Sequence, residues 1–318
     1  MRAVVIGGTG HIGTYLVPAL VELGYEVISV MRGQRQPYIP HAAWTTVRRI
    51  EADREAEDKA GTFAGRIVDL RPDIVIDLIS FTEDSARQMV EALRGKVHHY
   101  LHCGTIWVFG HSTHVPATED LPKRPFGEYG IQKAAIEDYL LGEARRTGFP
   151  ATILRSGHIV GPGYVPLTPA GTFNPAVFTT LARGEELAIP NLGMETVHHV
   201  HASDLAQGFL RMMAARSVSI GECFHIVSPS AITLRGYAEA VSGWFGREPK
   251  LAFVPFPTWR TGVSQAEADA AWDHIAHSPN ASIAKAQRLL GYQPRYTSLQ
   301  AVFESVQWLI ANGIVHTA

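Results

Sequence analysis

Gly7, Gly10 and Gly13 stand at three-residue spacing directly behind the apolar run Ala3-Val4-Val5-Ile6. An apolar-periodic stretch follows them. The pattern predicts a strand, a tight turn and a helix. With no Cβ in the way, the turn backbone can approach a pyrophosphate, and the helix N-terminus adds unpaired N–H groups and a favourable dipole. Glycine-rich turns also arise for purely structural reasons, so the loop takes its meaning from what lies downstream.

Tyr129-Gly130-Ile131-Gln132-Lys133 is that downstream feature. No other Tyr in the chain is followed four residues later by Lys. Apolar positions at Ile131, Ala135, Ile136, Tyr139 and Leu140 predict a helix over 128–147, with 129 and 133 one turn apart. A Lys ammonium there can lower the phenol pKa, so that Tyr129 exchanges a proton with a substrate hydroxyl near neutral pH. The plainer reading is an exposed helix pair, and the glycine loop favours the catalytic one.

Strand-like runs at 27–30, 74–79, 99–103 and 151–154 alternate with helical patterns at 11–23, 85–93 and 128–147. Such alternation implies an α/β chain with a parallel sheet covered on both faces. Right-handed crossovers then give a doubly wound Rossmann sheet, with ligands at the carboxyl ends of its strands. Pro and Gly cluster over 161–175 and mark a departure from the sheet. A helix is expected over 201–213 and a strand over 223–227. The stretch 233–314 reads as mainly helical.

In order along the chain, these residues resemble the extended branch of the short-chain dehydrogenase/reductase superfamily, the NAD(P)-dependent epimerases and dehydratases. The glycine loop matches. Cys103-Gly104-Thr105-Ile106-Trp107-Val108-Phe109-Gly110 resembles the branch's Ser/Thr-rich strand end, with Phe109 in place of a usual Tyr. Leu154–Gly163, Val200–Ala206 and Leu289–Pro294 resemble three later landmarks. The resemblance implies a cofactor-binding domain over 1–160 and 197–230, and a smaller, mainly helical substrate domain over 161–196 and 231–318. It implies Thr105, Tyr129 and Lys133 as catalytic residues. It implies cofactor contacts from Gly7, Gly10, His11, Ile12, Gly13, Arg32, Asp53, Arg54, Leu78, Ile79, Tyr129, Lys133, Ser156 and His158. Substrate contacts fall to Thr105, Trp107, Tyr129 and His158. A homodimer through 85–93 and 128–147 is also implied, with apolar surface from Ile131, Ala134 and Leu141.

Arg32 follows the second strand, where an acidic residue would bind the adenosine ribose hydroxyls. A cation there suits a 2′-phosphate instead, so NADP is expected ahead of NAD. Asp53-Arg54 falls where related enzymes contact the adenine, and a loop salt bridge is the equal alternative. His158 stands where many nucleotide-sugar relatives carry Asn. His198, His199 and His201 lie close together, as do His274 and His277, but no Cys or acidic partner completes a metal-ligand spacing, so no metal is expected.

Three features bear on the substrate. Ile106-Trp107 replaces the Asp-Glu pair of the 4,6-dehydratases. Val197 falls about where sugar-nucleotide enzymes carry a diphosphate-binding Arg. Bulky Trp107 beside Thr105 suggests a pocket for an apolar or ring-shaped group. Arg260 and Arg295 remain available to meet a phosphate. An epimerase and an NADPH-dependent ketone or aldehyde reductase are the competing outcomes. A nucleotide- or RNA-binding regulator is the non-enzymatic alternative.

The formal net charge is −2, and basic residues come as scattered pairs such as Arg48-Arg49 and Lys123-Arg124. No nucleic-acid partner is expected from such a surface. Cys103 and Cys223 sit in apolar runs and read as small buried hydrophobes. The first strand starts too early to follow a signal peptide, and no apolar run reaches the ~18 residues of a membrane span. A cytoplasmic protein acting on a small molecule is the expectation.

Overall fold

A computed structural model describes residues 1–317. β1 (Arg2–Ile6) runs through the glycine turn into α1 (His11–Glu22). Then come β2 (Glu26–Met31), β3 (Arg48–Glu51), α2 (Arg54–Lys59), α3 (Phe63–Asp69), β4 (Ile74–Asp77), α4 (Glu83–Leu93), β5 (His99–Thr105), α5 (Gly127–Thr147) and β6 (Ala151–Ser156). The chain leaves the sheet through β7 (His158–Val160), α6 (Ala176–Arg183), β8 (Leu187–Pro190), β9 (Thr196–Val197) and β10 (His199–His201). It returns through α7 (Ala202–Ala214) to β11 (Cys223–Ile226).

Seven strands form one sheet in the order β11-β6-β5-β4-β1-β2-β3, and every neighbouring pair is parallel. β4, β5 and β6 are buried along their whole length, as strands covered on both faces are. One face packs Leu16 and Leu20 of α1 against Phe209 and Met212 of α7. The other packs Met89 of α4 and Ile136 and Leu140 of α5. The strand order reverses between β1 and β4, which puts the ligand crevice at their carboxyl ends.

A separate core gathers Phe178, Leu181, Tyr237, Val241, Val302 and Val306. It belongs to the cap, whose later part holds helices Leu234–Trp244, Gln265–His277 and Ser298–Ala311. Assigning 231–318 wholly to this cap needs correction. Ala281, Ile283, Ala286, Leu290 and Tyr292 bury their side chains in the sheet's own core. Among the described residues no helix is long and apolar enough to cross a membrane.

Candidate active site

The strand–turn–helix at the chain start builds the first half of the site. Gly7 turns with φ +88°, a conformation that favours glycine. A Cβ on it would come within 2.9 Å of the Ile79 side chain, with Leu78 alongside. A Cβ on Gly13 would sit 2.0 Å from the Gly8 carbonyl oxygen, so helix and turn meet this closely only through glycine. Gly10 caps α1 without a side chain, and among the described residues the N–H groups of His11, Ile12 and Gly13 find no acceptor. Three unpaired donors at a helix N-terminus, beside a cradle that a Cβ would fill, fit a pyrophosphate.

The His11 imidazole is turned into the protein. It stacks on Tyr164 at 4.2 Å and meets Tyr38 edge-on at 5.7 Å. Burial holds its pKa down at about 3. What His11 offers a ligand is therefore its backbone N–H. Arg35 donates to the hydroxyls of both Tyr38 and Tyr164 at 3.3 Å, clasping the β2–β3 loop to the segment after β7.

Arg32 is exposed at the end of β2. The sequence reading missed its neighbour: the Glu51 carboxylate lies against Gly33. A cation suited to a 2′-phosphate and a carboxylate suited to ribose hydroxyls thus flank the same turn. Asp53 caps α2, its Oδ1 accepting from Ala56 N at 3.2 Å. Arg54 does not present itself to a ligand, and this corrects its assignment as a cofactor contact. Its Nη1 donates to Asp77 Oδ1 at 2.5 Å and its Nε to Ser85 Oγ at 3.0 Å, and Asp77 is completely buried. Tyr100 donates to the other Asp77 oxygen at 2.8 Å. The Arg54 guanidinium and these hydrogen bonds outweigh burial and hold the Asp77 carboxyl below its usual range. Asp77 is the single acid in the apolar run 74–79, which was the available signal for this network.

The second half of the site rises from β5 and α5. Thr105 ends β5 and accepts from Trp107 N at 3.2 Å. Tyr129, in the first turn of α5, is 44 % exposed as a residue, while its hydroxyl is tucked in beside Thr105. Burial, then the nearby Cys103 thiol, raise its pKa, while a hydrogen bond with Thr105 acts the other way. Lys133 is buried, and its Nζ donates to the carbonyls of Ser80 at 2.7 Å and Cys103 at 2.8 Å. Burial lowers its pKa to about 8. The expected lowering of the Tyr129 phenol by Lys133 is not what this geometry does. The ammonium is committed to two carbonyls and lies 5.9 Å from the Tyr129 ring centre.

Ser156 ends β6 and donates to Gly104 O at 3.1 Å, tying the two strand ends together. His158 opens β7, and its Nε2 is buried without a partner. Trp107 stands edge-on to Tyr129 at 6.0 Å and to His158 at 5.8 Å. His274 and His277, from the cap helix Gln265–His277, complete this cluster against Trp107 at 5.1 and 4.0 Å. Val197 is buried in β9, paired with Ile232. Arg260 lies over Phe256, and Arg295 lies by Asp204 and His201. His198 is bonded to Ser228 O and Ala281 N, and His201 caps α7. Among the described residues no three His, Cys, Asp or Glu side chains are arranged to hold a metal ion.

The family model described as NAD dependent epimerase/dehydratase matches residues 3–226, more than half of the 318-residue chain. The chain belongs to this epimerase/dehydratase family. It is an NAD-dependent enzyme type of the extended short-chain dehydrogenase/reductases. Among this family member's relatives is the 2'-dehydrokanamycin reductase of Streptomyces kanamyceticus, 25 % identical, with 100 % of this chain and 87 % of that protein aligned. Another is the chloroplast stem-loop binding protein of 41 kDa b of Arabidopsis thaliana, 24 % identical over 98 % of this chain and 80 % of that one. The structure of UDP-glucose 4-epimerase from Thermotoga maritima superposes with a TM-score of 0.75 at 21 % identity, covering 98 % of this chain and 99 % of the other.

Proposed function

We propose that this family member catalyses hydride transfer at a carbinol or carbonyl carbon of a small substrate, with Tyr129 as the proton-transfer group. The observation that carries the reading is the Tyr129 phenol set beside Thr105, one helical turn from a Lys133 pinned by two carbonyls. A bound nicotinamide dinucleotide supplies the hydride; Gly7, Gly10, Gly13, Leu78 and Ile79 would hold it. The Tyr129 hydroxyl gives the substrate oxygen its proton on reduction, and the phenolate it leaves takes that proton back in the reverse direction. The Thr105 hydroxyl hydrogen-bonds the same oxygen. An ammonium has three N–H donors, so Lys133 keeps one to orient a ribose hydroxyl. With a pKa of about 8 it is mostly charged at pH 7.

A net reduction is favoured over epimerisation. Val197 is buried where a diphosphate-binding Arg would stand, and the Streptomyces relative is named as a reductase. NADP preference rests on exposed Arg32. The protein works in the cytoplasm, as a homodimer through α4 and α5, without nucleic acid. The stem-loop binding relative does not change this reading. The formal net charge is −2, and Arg54, Arg66, Arg87 and Arg155 are each paired with a carboxylate rather than offered to a phosphate backbone.

The test is turnover of wild type and Tyr129→Phe with NADPH and NADH, against ketones, aldehydes, free aldoses and nucleotide sugars. Removing a general acid–base group is expected to cost ~10²–10⁴ in rate. A Tyr129→Phe enzyme as active as wild type would overturn the assignment.

A further inference from the structure

Resting on the hydride-transfer reading, we infer that the substrate is an uncharged, planar ring compound bearing a ketone or hydroxyl. It lies beside Trp107, takes a hydrogen bond from His158, and carries no nucleoside diphosphate. Trp107 stands edge-on to Tyr129 at 6.0 Å, so the indole borders the place where a molecule would present its oxygen to the phenol. His158 and His274 extend that surface, 4.6 Å apart between ring centres. Phe173 meets His274 edge-on at 5.3 Å and is half exposed, forming the outer rim. Beneath, His277 stacks on the indole with its plane 12° off parallel. Trp107, His158, Tyr129 and Phe173 keep part of their rings accessible while His274 and His277 back them from within, an arrangement that suits a flat apolar body.

The polar atoms on this surface are few and neutral. Burial, before any other cause, lowers the pKa of His274 and His277 to about 4 and that of His158 well below its usual value. The charges that act on His158 and His274 are those of other imidazoles. The Nε2 atoms of His158 and His277 are buried with no partner. Buried polar atoms are ordinarily hydrogen-bonded, and a ketone or hydroxyl oxygen satisfies such a nitrogen in one tautomer or the other. Side chains that grip a diphosphate are typically Arg or Lys, through charge-assisted hydrogen bonds. Val197 is buried and apolar, Arg260 covers Phe256, and Arg235 pairs with Glu239.

The decisive experiment is calorimetric titration of the full chain saturated with oxidised cofactor, which cannot reduce the ligand. The probes are 1-tetralone, 4-chromanone and 2-naphthol, set against UDP, UDP-glucose and methyl β-glucoside. At least one bicyclic probe is expected to bind tenfold or more tightly than UDP-glucose. Trp107→Ala should weaken that probe about tenfold, and Trp107→Phe, which keeps a ring, should weaken it less. His158→Phe should weaken 1-tetralone but leave its hydrocarbon analogue tetralin unchanged. Tighter binding of UDP, UDP-glucose or the glucoside overturns the proposal. So does failure of all three bicyclic probes to bind, or indifference to Trp107→Ala in a chain that still takes up cofactor. Tyr129-dependent turnover of UDP-glucose would sink the substrate class and leave hydride transfer standing. A probe that binds as expected, in a protein without any Tyr129-dependent turnover, would do the reverse.

Discussion

Lys133 Nζ donates to the carbonyl oxygen of Cys103 at 2.8 Å, two residues before Thr105 on the same strand. That bond fixes α5 against the end of β5. The backbones that carry Tyr129 and Thr105 are thereby held together by a buried side chain. A buried ammonium held in this way leaves a signature in stability.

Lys133 has a pKa of about 8 in the folded chain, against 10.5 as its ordinary value. Between those values the unfolded chain binds more protons than the native one, so stability gained from this site rises with pH. Below about 8 its protonated form is the one that folding penalises. Urea unfolding of wild type and Lys133→Met at pH 7.5 and 9.5 checks this. The wild type should gain on the variant with pH, by at most about 1.4 kcal/mol per unit. A flat or falling difference would contradict the burial of the charge.

Asp77 and Arg54 form a pair in which each needs the other. Asp77→Asn removes the closer charge and leaves the buried guanidinium with Asp58 alone, 3.2 Å from its Nε. Breaking such a pair typically costs 3–5 kcal/mol. Chemical denaturation should show a loss of about that size, and a loss well under 1 kcal/mol would mean that the Arg54 charge finds relief elsewhere.

Arg32 and Glu51 make opposite demands on the cofactor. Calorimetry should show NADP binding more tightly than NAD, with Arg32→Ala weakening NADP alone. Glu51→Gln should further favour NADP by removing a like charge from the 2′-phosphate. Tighter NAD binding that is indifferent to Arg32→Ala would reverse the preference.

Light scattering at micromolar concentration is expected to show a dimer. Ile131 is exposed on α5, whereas Ala134 and Leu141 are buried within the protomer. Ile131→Glu should therefore shift the equilibrium towards monomer, while a purely monomeric wild type would refute the contact.

The glycine turn and the Tyr129–Lys133 pair were legible because each is local: three residues of a turn, four of a helix. β3 was harder to see, because Arg48 and Arg49 expose an edge strand with almost no apolar signal. The ends of α1, α4, α5 and α7 shift by only one or two residues from their sequence periodicity. The ion pair between Arg54 and Asp77 was not legible, since nothing in a strand's alternation says which residue far along the chain will face its one acid. The meeting of Trp107 with His274 and His277 is of the same kind. Sequence adjacency suggested a metal question for those histidines, whereas packing makes them a floor.

That floor has a kinetic consequence. Burial keeps its imidazoles neutral well above pH 4, so the floor itself adds no charge to the site. Dissolved ions screen only fields that exist. Whatever steering charges act on an arriving substrate, this floor contributes none, and selection on it is left to shape after contact.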